Sequence, residues 1–237
     1  MDKRFWGILI IIVVILGGIF WATSGKGNAP SSSQPTNHVE GQGSSGVTLV
    51  EYGDYECPFC GAYYPVVKQI ETLYAPYIYL QFRNLPLTSL HPNAFAGARA
   101  AEAASLQGKF WQMHDTLYDN QDPTGKTGWV ASSDPLDQYF VGFAQQIGLN
   151  TAQFKTDFAS SKVNNAINAD VAAFGKTGAE EATPSFFLDG KQVHPTESAQ
   201  SFEQVLNAEI KAKTGNLPSI ANLPTDSSSS ASGQSVQ

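Results

Sequence analysis

The sequence is poor in cysteine and in charge. Two of its 237 residues are cysteine, which excludes a small fold held by several disulfides and a zinc module with four cysteine ligands. Charged residues make up 15% of the chain, below the ~25% of an average soluble domain. The formal charge is −7 and the pI is about 5.0, so cations are too few to neutralise a phosphate backbone. We therefore expect no nucleic-acid partner.

An uncharged apolar run near the N-terminus predicts a membrane anchor. Residues 5–22 carry no charge, and as a helix they would extend about 27 Å, close to the ~30 Å hydrocarbon core of a bilayer. Lys3 and Arg4 precede the run, so the positive-inside rule places residues 1–4 in the cytoplasm and the rest of the chain outside. A cleaved signal peptide is the alternative, because small residues follow the run. Both interpretations export the remaining residues.

Segments of low complexity bound the expected folded domain. Residues 23–46 are rich in Ser, Gly, Asn and Pro, which predicts a flexible linker. Residues 214–237 have a similar composition and predict a disordered tail. One domain is therefore expected at 47–213, long enough for a hydrophobic core of its own.

The hydrophobic pattern of residues 47–213 predicts an α/β fold. A short β-rich segment is followed by residues at helical spacing, and then Ile78, Leu80 and Phe82 alternate with polar residues as in a strand. A long crossover between the two strands implies that they are parallel. Residues from about 88 to 178 show helical patterns, after which a hairpin signal and a last helix follow. This order predicts a thioredoxin-like sheet with helices inserted in its middle.

The two cysteines are spaced for a redox pair. Cys57 and Cys60 lie at the junction of the first strand and its helix, on one helix face and close enough for a disulfide. Unpaired N–H groups and the helix dipole favour a thiolate at Cys57, and Pro58 suits the first helical turn. Two alternatives stay open. One is half of a zinc site, although the four histidines show no matching spacing, and the other is a structural disulfide, whose small loop would add little stability.

Four segments resemble the DsbA-like family of exported thiol:disulfide oxidoreductases. Residues 51–60 (EYGDYECPFC) resemble its active-site segment, and 83–87 resemble its second strand and exit. Residues 91–94 are similar to the start of its inserted helical domain, and 183–190 to its cis-proline loop and hairpin. The N-terminal run resembles the anchor of membrane-tethered members. The resemblance implies thiol:disulfide oxidoreductase activity carried by the two sulfurs, with no separate cofactor and no metal.

The resemblance also assigns residues to substrate binding. It implies that the peptide bond before Pro184 is cis and that this proline lies against the cysteine pair. Thr183 would then offer backbone groups to an extended substrate, which is added as a strand. Pro58 and Phe59, between the cysteines, are expected to contact the substrate as well. The alternative for Pro184 is an ordinary loop proline.

Acidic residues precede the cysteine motif. Glu51 lies on the buried face of the first strand, where its pKa would be raised so that it could pass protons to and from Cys60. The family carries an acid at the matching position. The alternative for Glu51 is a strand-end glutamate in water. Asp54 and Glu56 are expected in solvent, where they would slightly disfavour a neighbouring thiolate.

Phe59 departs from the pattern of the family's best-known oxidases, which have histidine at this position. Without a cation there, we predict a pKa for Cys57 that lies below that of free cysteine but above that in a Cys-Pro-His-Cys enzyme. The disulfide should be a correspondingly milder oxidant.

The expected function is that of an oxidase which introduces disulfides into exported, cysteine-containing proteins. We expect a monomer on the outer side of the cell membrane. The resemblance implies a quinone-linked membrane partner, similar to DsbB or to vitamin-K-epoxide reductase, that reoxidises the pair. One alternative is a reductase or isomerase with the same site. Another is a membrane-anchored chaperone without catalytic function, which would need no redox-active pair.

Overall fold

The computed structural model describes residues 34–220, which form five strands and seven α-helices. The strands are β1 (His38–Glu40), β2 (Val47–Gly53), β3 (Ile78–Asn84), β4 (Ser185–Leu188) and β5 (Lys191–Val193). The helices are α1 (Pro58–Tyr74), α2 (Ala94–Ser105), α3 (Phe110–Asp119), α4 (Val141–Gln146), α5 (Thr151–Phe158), α6 (Ser161–Gly175) and α7 (Ala199–Thr214). A 3₁₀ turn at Gly128–Ala131 and a π-helical turn at Leu136–Phe140 precede α4.

The strands form one mixed sheet in the order β1-β3-β2-β4-β5. β2 and β3 are parallel and are joined by the α1 crossover, with Glu51 opposite Phe82. The other three pairings are antiparallel, and they place Phe186 on the second side of Glu51. The thioredoxin-like α/β fold predicted from the order of elements is confirmed.

Helices cover both faces of the sheet because successive strand residues point to opposite sides. α1 and α7 pack on the face that carries Leu49 and Phe186, whereas Phe174 of α6 packs on the opposite face against Tyr52 and Phe187. The helices between β3 and β4 have a separate core around Trp129 and other aromatic residues. Both cysteines belong to that core, so the motif lies where the sheet meets the helical insertion.

The N-terminal boundary of the domain differs from the prediction of a flexible linker over 23–46. Strand β1 pairs with β3, and Thr36, two residues before β1, donates through its N–H and hydroxyl to the Asp170 carboxylate at 2.7 Å each. His38 Nε2 lies 2.8 Å from Glu102 Oε1, and the Asn84 side chain donates to Glu102 and to Asp170. The linker prediction is therefore wrong for residues 36–46, because long-range partners order a segment whose composition resembles a tether.

The predicted tail also begins too early. α7 ends at Thr214, with Gly215 in the left-handed region at φ 78°, but the Tyr77 hydroxyl still donates to the Ser219 carbonyl at 2.9 Å. The predicted anchor at 5–22 lies outside the described residues, as do the first part of the linker and the end of the tail. None of the helices within residues 34–220 has the length and apolar character needed to cross a membrane.

Candidate active site

Cys57 is the N-cap residue of α1. Its backbone is extended, with φ −65° and ψ 122°, and its N–H donates to the Asp54 carbonyl at 3.1 Å. Pro58 occupies the first turn, where a helix leaves N–H groups without partners and the missing N–H costs nothing. The thiol of Cys57 therefore stands at the positive end of the helix dipole, as the sequence predicts.

The surroundings of Cys57 favour its thiolate. Both cysteines are free thiols, and hydrogen bonding from Cys60 is the largest effect that lowers the pKa of Cys57 to about 6. Thr183 and the backbone N–H groups of Phe59 and Cys60 contribute further, whereas burial opposes them. The sulfur lies 3.5 Å from the Thr183 carbonyl oxygen. This pKa falls between the ~8.5 of free cysteine and the ~3.5 of DsbA, the interval predicted for a motif with phenylalanine between its cysteines.

The thiol of Cys60 is a much weaker acid than that of Cys57. Its side chain is fully buried, and burial raises the pKa of its thiol well above the usual value. The hydrogen bond to Cys57 and the negative charges of Cys57 and Glu51 act in the same direction. The Asp54 N–H donates to the Cys60 sulfur at 3.5 Å. The pair therefore consists of one thiol poised to ionise and one that stays protonated.

Asp54 is buried, so its predicted place in solvent is wrong. It is 1% exposed, and its carboxylate accepts hydrogen bonds from the N–H groups of Glu56 at 2.8 Å and Leu87 at 2.9 Å. His91 Nδ1 lies 2.7 Å from the same carboxylate. These hydrogen bonds replace water as partners of the Asp54 carboxylate. They also connect the cysteine motif to the segment that follows β3.

The predicted exposure of Glu56 is also wrong, since it is 9% exposed. Its carboxylate accepts the Asn93 N–H at 2.5 Å, at the start of α2. Burial raises the pKa of Glu56, and the hydrogen bond from Asn93 opposes that rise. Glu56 therefore acts as a cap for the first helix of the insertion.

Gln121, which follows α3 in the helical insertion, forms hydrogen bonds with the backbone of the cysteine motif. Its side-chain N–H groups donate to the carbonyls of Tyr55 at 2.7 Å and Cys57 at 3.0 Å. Sequence reasoning missed Gln121 and the contact between His91 and Asp54 because the partners are 37 to 66 positions apart. No local pattern could have identified these contacts.

Three of the predicted substrate-binding and catalytic residues lie together beside Cys57. The Thr183–Pro184 peptide bond is cis. Thr183, Pro184 and Phe59 line a cavity of about 380 Å³ whose other walls come from α1, β4, β5 and the loop that follows. Phe59 is 69% exposed, so its ring is free to meet a partner.

Pro58 does not line this cavity, although Phe59 is its neighbour in the chain. It lines a cavity of about 700 Å³ together with Glu56, His91 and Leu90, the last of which is 70% exposed. The insertion supplies the remaining wall of this cavity. Two surface cavities therefore adjoin the cysteine motif.

Glu51 is buried, so the alternative of a glutamate in water is wrong. It is 4% exposed, and burial raises the pKa of its carboxyl to about 8. The negative charge of Glu51 contributes to the raised pKa of Cys60. A carboxyl that binds protons near neutral pH and interacts with the buried thiol can exchange protons with it.

Within residues 34–220, no three or more His, Cys, Asp or Glu side chains are grouped so that they could hold a metal ion. The alternative of half a zinc site therefore finds no further ligands in this part of the chain.

Comparison with known proteins gives a family and a fold. A family model described as thioredoxin matches residues 33–208. The chain is 37% identical over 158 residues to a protein of Salinispora arenicola named Na(+)/H(+) antiporter NhaA 1. This match covers 67% of the chain but 22% of that protein, so the chain spans about a fifth of the length of this curated relative.

Two solved structures share the fold over nearly their full length. BdbD from Bacillus subtilis superposes with a TM-score of 0.64 at 20% identity, covering 76% of this chain and 97% of BdbD. A thioredoxin-like oxidoreductase from Silicibacter pomeroyi has a TM-score of 0.61 at 27% identity, covering 78% of this chain and 98% of that protein. The arrangement of sheet and helical insertion is therefore shared with these proteins.

Proposed function

The chain belongs to the thioredoxin family. On that premise we propose that it is a DsbA-like thiol:disulfide oxidoreductase that works as an oxidase of exported proteins. In this role the Cys57–Cys60 disulfide is transferred to a pair of thiols in a substrate. The antiporter name of the Salinispora arenicola relative belongs to a much longer protein, so the proposal rests on the cysteine site.

The contrast between the two thiols is the observation that supports this proposal most directly. Cys57 has a pKa of about 6 and therefore carries a thiolate at neutral pH, whereas burial keeps Cys60 protonated. A stabilised thiolate favours the reduced form of the pair, so the disulfide form tends to accept electrons from substrate thiols. A structural disulfide would need no such contrast.

The proposed reaction begins when a substrate thiolate attacks the Cys57 sulfur of the disulfide. A bond forms between the substrate sulfur and Cys57, the Cys57–Cys60 bond breaks, and Cys60 takes the electron pair. Cys60 then receives a proton from Glu51, which is protonated below its pKa of about 8. A second substrate thiolate attacks the mixed disulfide and releases Cys57 as its thiolate. The substrate gains a disulfide, and the enzyme is left reduced.

An extended substrate fits this chemistry beside Thr183. The Thr183 backbone lies next to Cys57 and faces the 380 Å³ cavity that Phe59 and Pro184 also line. We propose that a substrate segment binds there as an added strand, with backbone hydrogen bonds that do not depend on its side chains. Such binding accepts many different sequences, as an enzyme that oxidises exported proteins requires.

We further propose that residues 5–22 anchor a monomeric enzyme in the cell membrane, with the domain outside the cytoplasm. The absence of charge in this run and the preceding Lys3 and Arg4 support this orientation. A membrane partner that passes electrons to a quinone would restore the disulfide after each cycle. Expression with reporter fusions at both termini, and crosslinking of a Cys60→Ser variant in membranes, test the orientation and the partner.

The direction of electron flow is tested with the purified protein. Its equilibrium with glutathione gives the reduction potential, and reduced, unfolded ribonuclease A measures the introduction of disulfides. An oxidase should have a reduction potential above that of thioredoxin, which is ~−270 mV. It should also oxidise the ribonuclease stoichiometrically. A potential at or below that of thioredoxin would instead support a reductase. Cys57→Ser serves as the inactive control.

The chaperone alternative predicts a different result. A chaperone would suppress aggregation of an unfolded protein equally well when both cysteines are replaced by serine. If the double variant has lost disulfide exchange and does not suppress aggregation either, the result supports the oxidase.

A further inference from the structure

A small, largely enclosed cavity lies beside Glu51, between the sheet, α1 and α3. Its volume is about 10 Å³, which is close to the least that holds one water molecule. Glu51 and His114 line it, and so do Lys68 and Glu71 of α1. The cavity therefore joins a fully buried carboxyl to two charged side chains that are 33% and 21% exposed.

Lys68 and Glu71 belong to a cluster of four charged residues. Lys68 Nζ lies 2.7 Å from Glu71 Oε2 and 3.4 Å from Asp115 Oδ2 of α3. Glu40 of β1 is the fourth member, and the neighbouring Glu71 and Lys68 are among the groups that affect the pKa of its carboxyl. The cluster brings three carboxyls and one ammonium to the outer end of the cavity.

We propose that this cluster of Glu40, Lys68, Glu71 and Asp115 passes protons between solvent and Glu51 through the cavity. The proposal rests on the proposed function, in which Glu51 gives a proton to Cys60 in one half of the cycle. Glu51 has no direct access to bulk water at 4% exposure, so each turnover needs a path that restores its proton.

Every proton on this route has a donor and an acceptor. Attack on the disulfide leaves Cys60 as a thiolate, and Glu51 gives it a proton and becomes a carboxylate. A water molecule in the cavity then gives a proton to Glu51 and receives the proton that Glu40 passes on through the Glu71 carboxylate. The cluster takes a proton from solvent through its partly exposed members. When Cys60 later attacks a mixed disulfide, the same steps run in reverse.

The titration of the surrounding groups is consistent with this route. Burial and the neighbouring Glu71 raise the pKa of Glu40 to about 8, a value similar to that of Glu51. Proton transfer between groups of similar acidity has no large uphill step. The other groups around Glu51 keep one protonation state near neutral pH. Burial lowers the pKa of His114 to about 3, so it stays neutral, and burial raises the pKa values of Tyr55 and Tyr118 well above their usual range.

The test compares the cluster variants Glu71→Gln, Glu40→Gln and Lys68→Met with the wild type. Reduced protein, in which Glu51 holds its proton below its pKa of about 8, is mixed with an excess of a disulfide peptide. Cys60 can then lose its proton to Glu51 only after Glu51 has passed its own proton to the cluster. Acid quenching followed by mass spectrometry gives the rate of reoxidation in H₂O and in D₂O. We expect each variant to be slowed by about three- to tenfold with a larger solvent isotope effect. The pKa of Cys57, followed by thiolate absorbance, should not change. A Glu71→Ala variant should regain rate when formate is added, because formate can carry the proton.

Glu203→Gln is the matched control, since Glu203 is a partly buried glutamate on α7 that does not line the cavity. Its rate and isotope effect should equal those of the wild type. The proton route is refuted if the three cluster variants react as fast as the wild type, or if the control is slowed as much as they are. It is also refuted if the pKa of Cys57 changes together with the rate. If one variant does not fold, the remaining cluster variants are compared with the wild type in the same way.

Failure of the proposed function would look different. A wild-type protein that does not exchange disulfides with the peptide refutes the function itself. A wild type that is active, with Glu51→Gln slowed and the cluster variants unchanged, refutes the route alone.

Discussion

His91 Nδ1 lies 2.7 Å from the buried carboxylate of Asp54, and this pair fastens the cysteine motif to the start of the helical insertion. The same Asp54 provides a backbone N–H for the Cys60 sulfur and a carbonyl for the Cys57 N–H. Cys60 must carry negative charge when the disulfide is attacked, and a fixed N–H donor stabilises that charge. Asp54 therefore positions the leaving sulfur without touching the substrate.

Replacing Asp54 by Asn should destabilise the reduced protein by about 1–3 kcal/mol, because the amide nitrogen cannot accept one of the hydrogen bonds from Glu56, Leu87 and His91. Unfolding in urea measures the change. Asp157→Asn is the control, since Asp157 is only partly buried on α5 and accepts one side-chain hydrogen bond, from Gln153, which an asparagine can still accept. This variant should lose less than ~0.5 kcal/mol. Equal losses in the two variants would mean that the buried network adds nothing.

The acidity of Cys57 depends on Cys60. Hydrogen bonding from Cys60 is the largest effect that lowers the pKa of Cys57 to about 6, so removing the donor should raise it. In Cys60→Ala we expect a rise of about 1–2 units, which corresponds to a hydrogen bond to a charged group. In Cys60→Ser the hydroxyl can still donate, and the pKa should stay near the wild-type value. Absorbance of the thiolate against pH measures both, and identical titrations of the two variants would contradict the assignment.

We expect the side chain at position 59 to influence how oxidising the disulfide is. The Phe59 ring is 69% exposed, so replacement by histidine should cost little packing. A protonated histidine beside Cys57 should lower the pKa of the thiol further, and each unit should make the disulfide about 30 mV more oxidising. Equilibrium with glutathione measures the potential. Phe59→Leu, which adds no charge, should leave both quantities unchanged, and an equal shift in the two variants would exclude an effect of charge.

The features that could be predicted from the sequence are those with local causes. β2, α1 and β3 follow from the period of their apolar residues, and the acidity of Cys57 follows from its place at a helix start. Strand β1 could not be predicted, because Glu40 and its neighbours are ordered by β3 and not by their own propensity. The burial of Asp54 escaped prediction for the same reason, since the partners of its carboxylate include Leu87 and His91 beyond α1 and β3. A charge next to a turn usually lies in water.

Glu51 should make stability depend on pH. Its pKa is about 8 in the folded protein and close to the usual glutamate value of ~4.3 when unfolded, so between these values the folded state holds one more proton. Stability therefore falls as pH rises from about 4 to 8. Glu51→Gln removes the cost of burying the carboxyl and should stabilise the protein by a few kcal/mol near pH 8, with a smaller gain below about pH 4. Urea unfolding at several pH values measures this, and a gain that does not vary with pH would contradict it.

The folded domain begins before Val47, the start that the sequence predicts, because β1 (His38–Glu40) belongs to the sheet. A chain beginning at Val47 keeps every residue that the sequence assigns to the domain, but it lacks β1 and the partners that Thr36 and His38 provide. Asp170 is fully buried and Glu102 is 3% exposed in the presence of this segment, and each carboxylate would lose a hydrogen-bonding partner without it.

Loss of a partner from a buried charge costs about 3–5 kcal/mol, and the loss of β1 adds to this. We therefore expect a chain of residues 47–220 to be much less stable in urea than a chain of residues 34–220. Asp170→Asn should reduce the difference between the two chains, because a neutral amide left without its partner costs less than a carboxylate. If both chains unfold at the same urea concentration, the hydrogen bonds of Thr36 and His38 contribute no stability, and residues 34–46 are a tether after all.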